Sequence, residues 1–199
     1  SSAFISLLSS DGSTLMESTC FASSVSDVAI NVDSLGDVVI AGSTSSATFP
    51  TTLGAYQVAL SGSTDTFLSK FNPSLSTLLT STYLGGSGDE NELASSIVFD
   101  STGNVIISGA TYSSDFPLSG TSYDTTLGGA KDLFIAQLDS NLSTLLYSTY
   151  FGGSDYEFST FIDIDSQDRL LMSGTTASPY DFPTTPGAIV SSWPGGSHR

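Results

Sequence analysis

The sequence is poor in basic residues, in cysteine and in histidine. Its 199 residues include four Lys or Arg, one Cys and one His, against 20 Asp or Glu, for a formal net charge of −16. Nucleic acids and anionic membranes are bound through clustered Lys and Arg, so neither is an expected partner. One cysteine cannot form an internal disulfide, and one Cys with one His does not supply a structural zinc site.

Long hydrophobic runs are also missing. No apolar stretch approaches the ~20 residues of a membrane-spanning helix, so no membrane span is expected. The single histidine, His198, stands next to the last residue. Catalytic Ser–His and Cys–His pairs need an imidazole held by its surroundings, so we expect no enzyme. Abundant instead are Ser and Thr, roughly a third of the residues, and enough apolar residues for a packed core.

Four short motifs recur along the chain in a fixed order. Residues 66–72 (TFLSKFN) return as 133–139 (LFIAQLD), and 81–87 (STYLGGS) return as 148–154 (STYFGGS), with the same offset for both (133 − 66 = 148 − 81 = 67). A third motif ends at Gly42, Gly109 and Gly174, and a Phe-Pro motif begins at Phe49, Phe116 and Phe182. Residues 3–5 and 18–21 fit the first two motifs. Such periodicity predicts an array of similar units.

Each unit contains several strand signals. Short apolar runs at 38–40, 105–107 and 170–172 predict strands covered on both faces, and runs at 133–138 and 145–150 predict two strands joined by a turn. The Asp-x-x-Gly stretches at 33–37 and 100–104 predict hairpin turns with Gly at positive φ. In the third copy that position would fall on Gln167 or Asp168. The Ser/Thr/Gly-rich stretches that contain the first two Phe-Pro motifs are predicted surface loops.

The predicted fold class is all-β, with about four antiparallel strands in each repeat of about 66 residues. This favours β-propeller blades over a solenoid, which needs shorter coils, and over a sandwich, which would not repeat so regularly. The chain divides into a half-blade at 1–27, blades at 28–94 and 95–159, and a half-blade at 160–199. These amount to about three blades, whereas propellers typically close with 4–8.

Two explanations of the incomplete ring remain open. The chain is a fragment of a longer protein, whose neighbouring blades are its partners, or other copies of the chain are its partners. In the second case, the C-terminal half-blade of one copy pairs with the N-terminal half-blade of the next, in a closed ring or a filament.

The motifs resemble the SBBP (β-propeller) repeats of secreted and cell-surface proteins. The resemblance is best over 134–154 and 181–188 and weakest over 1–30, where Cys20 stands in the place of Tyr83 and Tyr150. It implies a propeller scaffold and an extracellular or cell-surface location, and it implies no common catalytic residues. We expect Cys20 to be a small buried thiol.

Acidic residues on Gly-rich connections are the candidate site. Asp89, Glu90 and Glu92 follow one Gly-Gly-Ser motif, and Asp155 and Glu157 follow the next. Hard oxygen ligands on flexible loops suit Ca²⁺, although the spacing matches no EF-hand. The alternative is that these charges are solvated at a blade edge.

One residue is a candidate for modification. Asn141-Leu142-Ser143 is an N-glycosylation sequon in a predicted turn, whereas its repeat counterpart, Asn72-Pro73-Ser74, is blocked by proline.

The sequence therefore predicts a non-enzymatic structural or adhesion module of an extracellular surface assembly. The alternative is a Ca²⁺-dependent propeller that binds a ligand or glycan. The sequence gives less support to glycan cleavage, because sialidase-type sites need several arginines and this chain has two.

Overall fold

The computed structural model describes residues 1–191, without the side chains of residues 92–95 and 159–160. Every regular element in residues 1–191 is a β-strand, which confirms the all-β prediction. The strands are β1 (Ser2–Leu8), β2 (Leu15–Ser23), β3 (Val25–Val32), β4 (Val38–Thr44), β5 (Asp65–Phe71), β6 (Leu78–Leu84), β7 (Glu92–Phe99), β8 (Val105–Thr111), β9 (Asp132–Leu138), β10 (Leu145–Phe151), β11 (Glu157–Ile164) and β12 (Leu170–Thr176).

The strands form four antiparallel sheets. Strands β3–β6 and β7–β10 make two four-stranded meanders, while β1–β2 and β11–β12 make two-stranded sheets before and after them. The two meanders have the same register, because Gly42 lies opposite Phe67 on β5 and Gly109 lies opposite Phe134 on β9. The repeat in the sequence is therefore a repeat of strand pairing.

The sheets pack face to face in chain order. One apolar cluster joins β1–β2 to the β3–β6 sheet, a second joins β3–β6 to β7–β10, and a third joins β7–β10 to β11–β12. The first strands of successive units are neighbours, since β7 contacts β3 on one side and β11 on the other. Two hydrogen bonds link them, from Asn31 Nδ2 to the Ile97 carbonyl at 2.7 Å and from the Ile162 amide to Ser96 Oγ at 2.8 Å.

The predicted strands and turns are confirmed. The runs at 38–40, 105–107, 133–138, 145–150 and 170–172 all lie in strands, and Gly36 and Gly103 both have a φ of +85°. In the third turn Asp168 has a φ of +58°, so a non-glycine residue does occupy the left-handed position. Its carboxylate accepts hydrogen bonds from the backbone amide and the hydroxyl of Ser101.

The stretches around the first two Phe-Pro motifs are loops with many exposed residues, as predicted, but the phenylalanines themselves are not at the surface. Phe49 and Phe116 are buried, although much of each loop around them is exposed. A tyrosine on the last strand of the same sheet fixes each motif. The Tyr83 hydroxyl donates to the Ser46 carbonyl at 2.6 Å and accepts from the Phe49 amide at 3.1 Å, and Tyr150 repeats this with Ser113 and Phe116.

Cys20 is exposed, so its prediction as a buried thiol is wrong. It pairs with Phe4 as Tyr83 pairs with Phe67, but Tyr83 is buried. The face of β1–β2 that carries Cys20 is turned away from the β3–β6 sheet, whereas the corresponding faces of the four-stranded sheets are covered by the preceding sheet.

No helix within residues 1–191 is long and apolar enough to cross a membrane.

Candidate functional site

Buried acidic residues meet where one sheet is joined to the next. We call the region between the β3–β6 and β7–β10 sheets the first junction, and that between β7–β10 and β11–β12 the second junction. Asp65 and Glu90 are buried at the first junction, and Asp132 and Glu157 are buried at the second. Both acids recur at the offset of the sequence repeat (132 − 65 = 157 − 90 = 67).

In each pair, the two carboxyl groups lie beside a glycine. A Cβ atom on Gly152 would lie 2.6 Å from Glu157 Oε2 and 2.9 Å from Asp132 Oδ1. At the first junction a Cβ on Gly85 would collide in the same way with Glu90 Oε2 and with Asp65 Oδ1. Only glycine leaves room for both acids at this point, immediately after the last strand of each four-stranded sheet.

At the first junction, hydroxyl and amide donors surround both carboxyl groups. Glu90 Oε1 accepts from Thr111 Oγ1 at 2.6 Å and from Ser113 Oγ at 2.5 Å, and its Oε2 accepts from the Gly86 amide at 3.1 Å. Thr111 and Ser113 belong to the second meander, so Glu90 ties the connection between the sheets to the end of β8.

Asp65 holds the loop that precedes it. Its carboxylate accepts from Gln57 Nε2 at 2.7 Å and from the amides of Ser61 and Gly62 at 2.9 and 3.0 Å. Gln57 also accepts from the Gly85 amide through Oε1, at 3.1 Å. The Gln57 side chain thus joins Asp65 to the turn where the two acids meet.

The second junction repeats this network with fewer donors. Glu157 Oε1 accepts from Thr176 Oγ1 at 2.7 Å and from Ser178 Oγ at 2.8 Å, but Glu157 Oε2 is buried with no hydrogen-bond partner in the described part of the chain. Asp124 occupies the sequence position that corresponds to Gln57 (57 + 67) and cannot donate a hydrogen bond when ionised. The second pair is therefore less fully compensated than the first.

Burial raises the pKa of three of these acids. Desolvation raises the pKa of Glu90 to about 7, with a further contribution from the nearby Asp65 carboxylate, against the lowering effect of its hydrogen bonds. Desolvation also raises the pKa of Asp65 and of Asp132, and the carboxylates of Asp89 and Asp124 add to these two increases. At neutral pH Glu90 therefore keeps part of its proton in the folded state.

The structure separates the five predicted Ca²⁺ ligands. Glu90 and Glu157 are buried and bonded to hydroxyl groups, Asp89 is half-buried, Asp155 is exposed, and the side chain of Glu92 lies outside the described residues. Among the described side chains, no group of three or more His, Cys, Asp or Glu residues could hold a metal ion. His198 also lies outside the described residues.

Sequence reasoning missed Asp65 and Asp132, which are the partners of the predicted glutamates. It also missed the hydroxyl groups that bind the glutamates, which belong to Thr111, Ser113, Thr176 and Ser178. The signal was present in the repeat, since both acids and both Thr-x-Ser pairs recur in register.

Asn141 lies in the predicted turn between β9 and β10 and is exposed. Within the sequon, Leu142 is buried with a φ of +55°, and the Ser143 hydroxyl donates to Asp139 Oδ2 at 2.8 Å. Glycosylation at Asn141 stays a prediction.

Comparison with known proteins adds no family to these observations. No family model matches the chain, and no curated protein matches it.

Proposed function

We propose that this chain is a non-enzymatic β-propeller module that serves as a structural or adhesion unit of an extracellular or cell-surface assembly. The observation that carries the proposal is the stacking of four like sheets in chain order, with β3, β7 and β11 as successive neighbours. A propeller has this arrangement, because the first strand of each blade lies nearest the axis and packs beside the first strands of the adjacent blades.

The polar residues of the two junctions also favour a structural role. At the first junction, Glu90 and Asp65 bind hydroxyl and amide groups of the loops that connect strands and sheets. Acids engaged in this way hold loops in position. The acid-rich, Lys-poor and Ser/Thr-rich composition suits a secreted protein, and the exposed Asn141 sequon is compatible with one.

A crystal structure of the purified chain tests the fold. We expect β3, β7 and β11 to surround a common axis, with successive sheets rotated about it by similar angles. A two-layer sandwich, or a coil without radial symmetry, would overturn the proposal. Immunogold labelling of intact source cells tests the location, and label confined to the cell interior would contradict a surface role.

A second candidate function, Ca²⁺-dependent binding of a ligand or glycan, is favoured by one observation. Among the described residues the buried Glu157 Oε2 has no hydrogen-bond partner, and Asp132 Oδ1 lies on the same side of Gly152. A cation there would compensate the negative charge of two buried acids. Thermal unfolding with EDTA and with excess Ca²⁺ separates the two functions, since the melting temperature of a scaffold changes little and that of a Ca²⁺-dependent module rises clearly with Ca²⁺.

A further inference from the structure

The two ends of the stack expose apolar residues whose repeat counterparts are buried. At the β3 end, Ile30 is 56% exposed, whereas Ile97 at the same position of β7 is 2% exposed. Val28 and Val32 on β3 are exposed as well. The β1–β2 sheet packs on Val25 at the start of β3 and on Ile40, Phe67 and Tyr83 of the later strands, so β3 from Val28 onward is the part of this face left uncovered.

The opposite end of the stack has a corresponding apolar face. On β12, Leu171 is 55% exposed, whereas Val39 at the same position of β4 is fully buried. On β11, Phe161 is 61% exposed, whereas its counterpart on β3, Ala29, is 5% exposed. In the interior of the stack, Ala29 and Val39 face the next sheet and share an apolar cluster with Ile97 of that sheet. In the interior, the counterparts of Phe161 and Leu171 thus pack in the same cluster as the counterpart of Ile30, so the exposed faces at the two ends are complementary.

The free strand edges correspond in the same way. Within residues 1–191, strand β1 pairs only with β2, and β12 pairs only with β11. By position in the repeat, β1 is the counterpart of β5 and β9, and β12 is the counterpart of β4 and β8. In both meanders these strand types are hydrogen-bonded to each other, with a glycine opposite a phenylalanine. The same register would set Gly174 opposite Phe4, which is exposed at the β1 edge.

We propose that a second copy of this chain covers both exposed faces through a head-to-tail contact. Strand β12 of one copy pairs antiparallel with β1 of the other, with Gly174 opposite Phe4 and Leu171 opposite Leu7. Phe161 and Leu171 then pack against Val28, Ile30 and Val32 of the copy that supplies β1. The inference rests on the proposed propeller and adds the partner to it.

The pairing would turn two two-stranded sheets into one four-stranded sheet. The β11–β12 sheet of one copy and the β1–β2 sheet of the other then form a composite sheet with the strand order of the two meanders, and the edges of β12 and β1 are covered. Each copy carries a net charge of −16, so added salt should strengthen the contact by screening repulsion.

The first experiment measures the mass of the full chain in solution over a wide concentration range, at low and at high salt. We expect a dimer with twice the 20.6 kDa mass of the single chain, favoured by salt. Ile30→Asp should raise the dimer dissociation constant at least ~10-fold, because it buries a carboxylate in an apolar contact. The matched control is Leu53→Asp, on a fully exposed loop residue outside both faces. A monomer under all conditions, or a dimer equally sensitive to both substitutions, would overturn the contact.

A disulfide cross-link tests the register. Leu7→Cys and Leu171→Cys, both at exposed positions, are combined with Cys20→Ser, and the oxidised dimer is digested and analysed by mass spectrometry. We expect the 7–171 disulfide between copies, and none between residues 7 and 53 in a Leu7→Cys, Leu53→Cys control. Failure to form the 7–171 disulfide in a dimer would refute the strand pairing. A monomer whose crystal structure retains radial sheets would overturn this inference and leave the proposed function standing.

Discussion

Replacing Glu90 by Gln tests whether the buried pair at the first junction makes stability depend on pH. Glu90 is 1% exposed and faces Asp65 from β5, while Thr111 and Ser113 bind it from the end of β8 and beyond. Tyr150 on β10 also lies within its electrostatic reach, but is neutral at the pH values of interest. The substitution keeps the size of the side chain and removes its ionisation.

The expected magnitude follows from the change in pKa on folding. Burial raises the pKa of Glu90 from 4.5 to about 7. Between these two pH values the folded state keeps a proton that the unfolded chain releases, so stability decreases as the pH rises. A pKa difference of this size corresponds to about 3 kcal/mol, and the loss is complete once the pH exceeds the folded-state pKa. The raised pKa values of Asp65 and Asp132 act with the same sign. Asp33 and Asp100 have lowered pKa values, so their contributions are lost only on acidification below the usual Asp range.

Urea unfolding at pH 5 and pH 8 measures the effect. If copies of the chain associate, the parent and every variant also carry Ile30→Asp, so that the unfolding of a single chain is measured. We expect the parent to lose stability from pH 5 to pH 8, and Glu90→Gln to lose about 3 kcal/mol less. The exposed Glu17→Gln is the control and should follow the parent. If Glu90→Gln retained the full decrease, the protonation assigned to the first junction would be refuted.

Three further predictions concern single contacts, each measured by urea unfolding at pH 7. Gly85→Ala should destabilise the fold by about 1–3 kcal/mol, because its Cβ would collide with the carboxyl groups of Asp65 and Glu90. The control is Ser87→Ala, which changes an exposed residue in the same turn and should cost less. Equal costs for the two substitutions would contradict the collision. Tyr83→Phe and Tyr150→Phe should each cost about 1–3 kcal/mol, because each hydroxyl bridges a carbonyl and an amide of its Phe-Pro loop. A negligible cost for both substitutions would show that these hydrogen bonds do not anchor the loops. Lys70→Met should cost about 1–3 kcal/mol, since it leaves the half-buried Asp33 and Asp37 without their cation. Lys70→Gln combined with Asp37→Asn gives the pair of residues that the second meander has at these positions, Gln137 and Asn104, and should cost clearly less. The reverse order would refute this equivalence of the two meanders.

The strands and turns could be predicted because their signals are local. The runs at 38–40 and 105–107 have the length and composition of covered strands, and the Asp-x-x-Gly turns carry their own caps and their glycine. Asp65 and Glu90, by contrast, are separated in the sequence by the whole of β6, and they meet only because the chain turns at Gly85. No local pattern encodes that meeting, so only the shared period of the repeat could have indicated it.

Burial was harder to predict at the ends of the stack than in its interior. Cys20 and Tyr83 occupy the same position in the repeat, and the repeat alone predicts the same burial for both. The two residues differ because a preceding sheet covers one position and not the other. Exposure at an end therefore depends on the neighbouring sheet rather than on the residue itself, and the same reasoning explains why Ile30 is exposed and Ile97 is not.

The two meanders also show which substitutions occur together. Lys70 binds Asp33 at 2.7 Å and Asp37 at 3.5 Å in the first meander. In the second, Gln137 binds Asp100 at 2.7 Å, and Asn104 binds the same oxygen at 2.8 Å. The formal charge is −1 in both sets, because +1 − 1 − 1 in the first equals 0 − 1 + 0 in the second. The lysine and the half-buried glutamine are interchangeable here only if the neighbouring Asp or Asn changes with them.

No such compensation accompanies the change from Gln57 to Asp124 near the acid pairs. The position loses the amide that donates to Asp65 in the first meander and acquires a carboxylate that raises the pKa of Asp132 in the second. Glu157 Oε2, in the same junction, is buried and has no hydrogen-bond donor among the residues that the structure describes. Replacing Asp124 by Gln restores an amide at this position and should stabilise the second junction, whereas Gln57→Asp should destabilise the first. The opposite signs of these two matched substitutions follow from one cause, which is the shortage of hydrogen-bond donors around a pair of buried acids.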